Sequence, residues 1–345
     1  MNKKIIIFLI SLSLAFLIAL YFFVFKNREI ISIPETFNVP AENPSVSLSS
    51  FPVAGYYSKT TPKIIVGRNG SIFSLENNSF LSNPGFDSLS LISFSSSGDK
   101  ILAKISAKNS SSLKIFDLKI DGWKHFYSGF FDASFSPFGA KIAYQRTTDS
   151  GRKEIGLVDF SDVDNPKQEP LLSLNISNDY HLSWLDENNL FILPSSSSNV
   201  NGQIFTLNIK NKTLSLFSEG SGLVLNWDYQ NQLGFLFKDA QLSLIDSSAK
   251  EITSFSFSSM PEKCALKDKE TAFCSVPSDI LTFPEDYYFG KTSFDSLYKI
   301  NLKTQVVEKV AMEKNFSASK IFFISGNLYF IDGFSGFLKK SLSVF

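Results

Sequence analysis

The sequence of 345 residues has few metal-binding side chains and no excess of positive charge. Two cysteines, two histidines and three methionines leave few ligands for a transition metal. The 33 basic residues are matched by 33 acidic ones, so the chain lacks the positive excess that usually accompanies binding to a phosphate backbone. We therefore expect no metal site and no nucleic-acid partner.

Helical repeats are also missing. After Phe25, no segment keeps apolar residues at the i, i+3, i+4 and i+7 positions over several turns, which argues against a helical solenoid. The chain instead has phenylalanine at 36 positions, and only 19% of its residues are charged. Because so much apolar surface must be buried, we expect most of the chain to be folded.

One long apolar run stands at the amino terminus. Residues Ile5 to Phe25 contain no charge, and these 21 residues would span about 30 Å as a helix, the thickness of a bilayer core. The run predicts an uncleaved signal anchor, with residues 1–28 as the anchor segment and 5–25 as one transmembrane helix. A cleaved signal peptide is the alternative, although its apolar region is usually about 7–15 residues long.

The charges beside this run indicate its orientation only weakly. Lys3 and Lys4 precede it and Lys26 and Arg28 follow it, so the positive-inside bias is small. We expect a short amino terminus inside and the large domain outside. The predicted location is the cell membrane, crossed once, with the folded domain extracytoplasmic.

Residues 29–62 form a predicted tether between the anchor and the folded domain. The segment is rich in serine, asparagine and proline, and proline suits neither a helix interior nor a central strand. A semi-extended spacer would hold the domain away from the bilayer. The alternative for its second half is a loop packed on the domain, in which FPVAGYY (51–57) already forms a strand.

From Lys63 to Phe345 the chain repeats a pair of short apolar strands joined by a turn. Four copies carry an anchoring aromatic residue, with separations of 41, 49 and 43 residues, and a divergent fifth copy follows after 39. The anchoring positions are Phe94, Phe135, Trp184, Trp227 and, in the divergent copy, Leu266.

A second hairpin, whose first strand ends in an acidic residue or asparagine, alternates with the first. The marker positions are Glu76, Asp117, Asp159, Asn208, Asp246 and Asn301. A period near 42 residues, made of short strands and turns, is typical of β-propeller blades, which stack because one sheet cannot bury both of its faces. We predict an all-β fold, a propeller of seven blades with six as the alternative, in which strands from both ends of the domain close the ring.

One repeat resembles a known family. SFSPFGAKIAY (134–144) looks like the repeat of TolB-type and related WD40-like propellers, F-S-P-D-G-x-x-I-A-Y/F, although Phe138 replaces the usual Asp. The resemblance is strong only at this blade. The whole chain is similar to bacterial envelope propellers of uncharacterised function that carry a single anchor helix, which implies an extracytoplasmic propeller.

The two cysteines flank a turn centred near Lys269. Pairing about this centre places Cys264 opposite Cys274 and Leu266 opposite Ala272. Non-hydrogen-bonded antiparallel pairs bring Cα atoms to about 4.5 Å, close to the lower limit seen in disulfides. We expect a cross-strand disulfide and hence an oxidising compartment, with two buried free thiols as the alternative.

An insertion after Cys274, residues 275–296, is the best candidate for a contact loop. Functional loops are often carried by rigid scaffolds, and this one combines acidic and aromatic side chains. The candidate contact residues are Pro284, Glu285, Asp286, Tyr287, Tyr288 and Phe289. In the similar propellers a P-x-x-W/Y-Y-x-G segment follows a cysteine-containing strand, and this loop matches it in part. Packing of these aromatic residues between blades is the alternative, and two carboxylates alone are a weak sign of a cation site.

Catalytic motifs are not found. The hydrolase pentapeptide G-x-S-x-G is absent, and Gly333–Gly336 is one residue short of it. There is also no Gly-rich phosphate loop and no H-E-x-x-H pair, so we expect no catalytic residues and no cofactor. His125 and His181 each lie at the edge of an apolar run and are expected to be packing or turn residues.

The resulting expectation is a non-enzymatic scaffold that binds a protein partner in the cell envelope. This step from fold to function is an analogy between folds. The alternatives are a glycan or small-ligand binding module that uses the propeller channel and, third, an accessory or degenerate hydrolase. The scaffold predicts an exposed apolar or aromatic patch on one face, and the binding module predicts polar and aromatic residues at one mouth of the channel.

Overall fold

The computed structural model describes residues 30–31, 44–58, 62–107, 110–120, 122–126, 129–160, 166–174 and 180–342. The predicted transmembrane helix, residues 5–25, lies outside them, as do residues 32–43 of the predicted tether. Within the described ranges, no helix has the length and apolar character needed to cross a membrane.

Within the described residues, short strands make up nearly all of the regular structure. In chain order they are β1 (Ile30–Ile31), β2 (Ser45–Ser47), β3 (Val53–Ser58), β4 (Pro62–Gly67), β5 (Ile72–Ser74), β6 (Ser79–Ser82), β7 (Ser88–Phe94), β8 (Lys100–Ala107), β9 (Ser110–Asp117), β10 (Gly122–His125), β11 (Phe130–Phe135), β12 (Lys141–Thr147), β13 (Lys153–Asp159), β14 (Lys167–Leu174), β15 (Tyr180–Trp184), β16 (Asn189–Pro194), β17 (Asn201–Asn208), β18 (Thr213–Ser221), β19 (Val224–Asp228), β20 (Leu233–Lys238), β21 (Gln241–Asp246), β22 (Glu251–Phe255), β23 (Cys264–Leu266), β24 (Thr271–Pro277), β25 (Asp295–Asn301), β26 (Val307–Val310), β27 (Ala318–Ile324), β28 (Asn327–Asp332) and β29 (Leu338–Ser341). A 3₁₀ turn spans Pro261–Lys263, and one short helix, α1, spans Glu285–Tyr288.

These strands form seven antiparallel blades, which confirms the propeller and its favoured blade number. Blades one to six each use four consecutive strands, β3–β6, β7–β10, β11–β14, β15–β18, β19–β22 and β23–β26. Blade seven takes β27, β28 and β29 from the end of the chain and β2 from its beginning, in the order β2-β29-β28-β27. Strand β1 adds a parallel fifth strand to the outer edge of blade five.

The hydrophobic core is divided among the interfaces between blades. Seven buried clusters each combine side chains of two neighbouring blades, including one cluster that joins blade seven to blade one. The second and third strands of a blade are the most buried, as in the fully buried run from Gly234 to Phe237 of β20. Burial of both sheet faces thus depends on closing the ring.

The ring begins before Lys63, within the segment predicted to be a tether. Ser45, Val46 and Ser47 pair with Ser341, Lys340 and Lys339, and FPVAGYY supplies most of β3, the first strand of blade one. Prolines border these strands rather than interrupt them. Pro44 and Pro52 stand just before β2 and β3, and β4 begins at Pro62, positions at which a missing N–H is tolerated. A proline-rich composition therefore did not exclude strands here.

Five of the six marker residues end the third strand of a blade, whereas Glu76 lies in the turn two residues after β5. Asp117, Asn208 and Asn301 each accept, through the side-chain oxygen, a hydrogen bond from the backbone N–H two residues on, at 2.9, 3.1 and 3.0 Å. This is the turn in which Asp and Asn side chains are favoured. The repeated marker thus reports one recurring hairpin geometry.

Candidate functional site

The insertion connects β24 to β25, the second and third strands of blade six. Connections alternate between the two ends of an antiparallel blade, so the loops between second and third strands leave the same end as the links between blades. We call this end the insertion face, and the end with the tight hairpin turns the turn face. Residues 278–294, including α1, therefore lie on the insertion face.

Glu285 fastens the insertion to blade four. Its Oε1 accepts hydrogen bonds from the backbone N–H of Ser198 at 2.7 Å and from the hydroxyls of Ser198 and Ser197 at 3.0 and 3.2 Å. The N–H of Ser198 is the main cause of a lowered Glu285 pKa. Pro284, at the start of α1 after a cis peptide bond, precedes this contact.

Asp286 closes the insertion on itself. Its Oδ2 accepts the backbone N–H of Thr282 at 2.9 Å, and its Oδ1 lies 2.5 Å from Nζ of Lys291. The bond from Lys291, followed by the N–H of Thr282, lowers the pKa of Asp286. Both acidic residues of the predicted contact loop therefore serve to hold the loop in shape.

Tyr287 fastens the insertion to blade seven. Its hydroxyl donates a 2.7 Å hydrogen bond to the carbonyl of Ser319 in the innermost strand, β27. Burial, with a smaller contribution from Glu262, raises the pKa of Tyr287 well above its usual value. Tyr287 therefore packs between blades, which was the alternative to a role in contact with a partner.

Tyr288 and Phe289 are different, because both remain exposed, at 54% and 81%. Three further apolar side chains are exposed in loops of the same face, Ile280 fully and Phe294 and Phe334 by about half, and the last two rings lie 5.3 Å apart. We call Ile280, Tyr288, Phe289, Phe294 and Phe334 the aromatic patch. The contact loop thus divides into residues that fasten it and residues that it presents.

The disulfide between Cys264 and Cys274 is confirmed. Cys264 pairs with Cys274 and Leu266 with Ala272, in the register derived from the sequence, and the Cα atoms of the cysteines are 4.1 Å apart. Both cysteines are fully buried in the interface between blades five and six. The bridge therefore joins β23 to β24, the strand from which the insertion departs.

A buried ion pair beneath the insertion was not predicted. Nζ of Lys263 lies 2.8 Å from Oδ2 of Asp295, and both side chains are almost fully buried. Burial lowers the pKa of Lys263, opposed by Asp295. The carboxylate of Asp295 also accepts hydrogen bonds from the hydroxyls of Ser275 and Ser293 and from the N–H of Ala318. The two residues are 32 positions apart, and no local motif marks them.

Glu262 is a second charged residue that sequence reasoning missed. Its Oε2 is buried and has no hydrogen-bond partner. Burial raises the pKa of Glu262, opposed first by a hydrogen bond from its own backbone N–H and then by the charge of Lys320, and burial lowers the pKa of Lys320. The structure shows no ion pair within 4.0 Å between these two described residues. Neither residue lies in a recognisable motif.

The central channel is the other candidate site. A cavity of about 770 Å³ is lined by the innermost strands of six blades and by turns of the turn face. Aromatic rings of Tyr56, Tyr57, Trp184, Trp227 and Tyr229 line it together with several serines. Burial raises the pKa of Tyr56, whose ring stacks on Phe322 at 3.8 Å between centroids.

In the described part of the chain, no group of three or more His, Cys, Asp and Glu side chains converges in a way that could hold a metal ion. His181, in β15, is paired with Asp132, with 3.6 Å between Nδ1 and Oδ1.

Solved structures of low sequence identity share the fold. An oligogalacturonate lyase from Vibrio parahaemolyticus aligns with a TM-score of 0.60 at 10% identity, over 86% of this chain and 92% of that chain. An oligogalacturonate lyase in complex with manganese gives 0.59 at 12% identity, over 90% and 96%. The β-propeller domain of Cps50 (Swd1) from Myceliophteria thermophila gives 0.56 at 10% identity, over 86% and 98%.

No family model and no curated protein matches the chain. The likenesses to solved structures, at these identities, establish the propeller fold alone. The resemblance to TolB-type repeats stays a prediction.

Proposed function

We propose that this protein is a non-enzymatic scaffold that binds a partner protein through the aromatic patch on the insertion face. The observation that carries the proposal is the exposure of Phe289 and Ile280, at 81% and 103%, on a loop that is otherwise firmly held. Several exposed apolar side chains on one face of a domain commonly indicate an interaction site. The partner would present an apolar surface of its own.

The fastening of the insertion supports this proposal. Glu285 bonds to blade four, Tyr287 to blade seven, and Asp286 holds the turn together through Lys291. A loop fixed at three points loses little conformational entropy when it binds, so its exposed aromatic rings are preorganised for contact. Aromatic residues also contribute most at the centres of interfaces.

The proposal places the propeller outside the cell membrane, in the cell envelope, and anchors it by residues 5–25. The uncharged run of 21 residues supports the anchor. The disulfide between Cys264 and Cys274 supports an oxidising compartment.

The test is crosslinking of the full-length protein in its native membrane, followed by affinity isolation and mass spectrometry. A stoichiometric partner crosslinked to the insertion face is expected. Phe289→Glu should abolish its recovery, because a charge in the patch must be desolvated on binding. The matched control is Leu216→Glu, which changes a half-exposed leucine on the outer strand β18 and should leave recovery unchanged. Equal recovery with Phe289→Glu would contradict the proposal.

The second candidate function is binding of a small neutral glycan in the channel. The observation that favours it is the set of aromatic rings and serines at the turn-face mouth, since ligand sites combine apolar walls with a few placed polar groups. Tryptophan fluorescence should respond to neutral oligosaccharides, because Trp184 and Trp227 line this cavity. Tyr229→Ala should weaken the response. An unchanged signal with every sugar would exclude this function for the sugars tested.

A third possibility, residual enzyme activity, is tested directly. The purified protein should release no product from oligogalacturonate, with and without manganese, or from peptide substrates. Turnover that persists after repurification would overturn the non-enzymatic part of the proposal. The choice of oligogalacturonate follows from the lyases that share the fold.

A further inference from the structure

A second cavity lies on the insertion face, between blades four and five and the insertion. Its volume is about 370 Å³. Its lining includes the apolar side chains of Leu193, Leu223 and Leu225 together with Tyr288 and Glu262. The volume lies within the range of small-molecule sites.

Glu262 is the feature that requires an explanation. A buried carboxylate oxygen without a hydrogen-bond donor is costly, and such groups in native proteins are usually paired. Within the described residues, the backbone N–H of Glu262 itself bonds to the carboxylate but leaves Oε2 without a donor, and Lys320 is near enough to affect the charge of Glu262 without forming an ion pair with it. By contrast, the neighbouring Lys263 and Asp295 are fully paired.

We propose that this cavity binds a small primary amine, whose ammonium group donates to the carboxylate of Glu262. An ammonium group carries three donors and no acceptor, which matches an acceptor-only carboxylate. The leucine side chains suit a short alkyl chain, and Tyr288 adds an aromatic ring to the lining, a group that attracts cations. This site is separate from the aromatic patch except at Tyr288, and it does not depend on the proposed scaffold function.

Other charges near the cavity determine how selective it is. The positive charge of Lys320 lies near Glu262 and therefore weakens the binding of an ammonium ligand there. His181 also lines the cavity, but its Nδ1 faces Asp132 at 3.6 Å. The charge of Glu262 attracts an ammonium group and repels an anion, so we expect amines to bind and carboxylates of the same length to be rejected.

The experiment uses ligand-observed NMR titrations of the full-length protein with n-butylammonium chloride, butan-1-ol and sodium butyrate. Saturable binding is expected for n-butylammonium, with affinity at least tenfold higher than for butan-1-ol, and no binding is expected for butyrate. Glu262→Gln should weaken n-butylammonium binding at least tenfold. Glu187→Gln, the same change at an exposed position on the turn face, should leave binding unchanged.

Lys320→Met distinguishes the proposal from a general loss of structure. Removing this positive charge should leave n-butylammonium affinity equal or higher, whereas Glu262→Gln lowers it. Absence of saturable n-butylammonium binding would overturn the proposal. Unchanged affinity in Glu262→Gln, or an equal loss in both variants, would overturn it too.

Discussion

Ser198 and Glu285 are 87 positions apart in the chain, yet the backbone N–H of Ser198 donates a 2.7 Å hydrogen bond to Oε1 of Glu285. Ser198 belongs to a loop of blade four and Glu285 to the insertion of blade six. The insertion therefore extends past blade five, and it borders the cavity that contains Glu262. The carboxylate of Glu285 thus holds in place the loop that carries most of the aromatic patch and that borders the proposed amine site.

Glu285→Ala should loosen the insertion without unfolding the ring. Hydrogen bonds to this carboxylate contribute about 1 kcal/mol, and their loss should lower amide protection of residues 195–200 and 278–294 about fivefold. Hydrogen–deuterium exchange measures this. Glu187→Ala, at an exposed position, is the control. Unchanged protection in Glu285→Ala would show that other contacts position the loop.

Removal of residues 1–49 should destabilise the propeller more than removal of residues 1–43. The longer deletion removes β2 and with it the 2.7 Å bond from the N–H of Leu48 to the carbonyl of Leu338 and the 2.9 Å bond from the N–H of Leu338 to Oγ of Ser49. At about 1 kcal/mol for each of several lost hydrogen bonds, the difference should be about 3 kcal/mol. Urea unfolding of the two truncated proteins measures it. Equal stability would mean that blade seven does not need its outer strand.

The propeller could be predicted from the sequence because its signals are local. Hairpins such as the one closed by Asn208 repeat their turn chemistry, and the register of Cys264 and Cys274 follows from a turn only ten positions long. The outer strand of blade seven could not be predicted in the same way. Ser49 meets Leu338 across 289 positions, so no local pattern reports the pairing.

The candidate site could be predicted only in part. The residue types of the insertion indicated a contact loop, but not that Tyr287 is buried while Phe289 is exposed, since this depends on blades four and seven. Glu262 and Lys263 are adjacent in sequence, yet Oε2 of Glu262 has no hydrogen-bond partner, whereas Lys263 is paired with Asp295. This difference arises from tertiary packing alone.

Replacement of Cys264 and Cys274 by alanine should lower the free energy of unfolding by about 3 kcal/mol, which is the chain-entropy value for a loop of this length. Urea unfolding of the double variant measures the loss. Alkylation of the unreduced, denatured wild-type protein should label neither cysteine, as detected by mass spectrometry. Labelling of both would contradict the disulfide and remove one support for an extracytoplasmic location.

Asp332 should make the stability of blade seven dependent on pH. Burial opposes its ionisation, but hydrogen bonds from the N–H and hydroxyl of Ser335, at 2.7 and 2.8 Å, and from Lys339 outweigh burial and lower the pKa of Asp332. Because the pKa of Asp332 in the folded protein lies below the unfolded value of about 3.9, ionised Asp332 stabilises the folded state, and this stabilisation is complete above about pH 3.9. It is lost as pH falls through the folded pKa.

Asp332→Asn should therefore lose about 1–2 kcal/mol relative to the wild type at pH 7, and this difference should shrink as pH falls below about 4. Urea unfolding of both proteins at pH 7, 5 and 3 measures it. Asp279→Asn, in an exposed part of the insertion, should match the wild type at every pH. Lys339 also bonds to Glu313, which accepts from Ser45 of β2, so the acid-sensitive contact lies next to the strand that closes the ring. A difference between Asp332→Asn and wild type that stays constant from pH 7 to 3 would show that packing, not ionisation of Asp332, stabilises this turn.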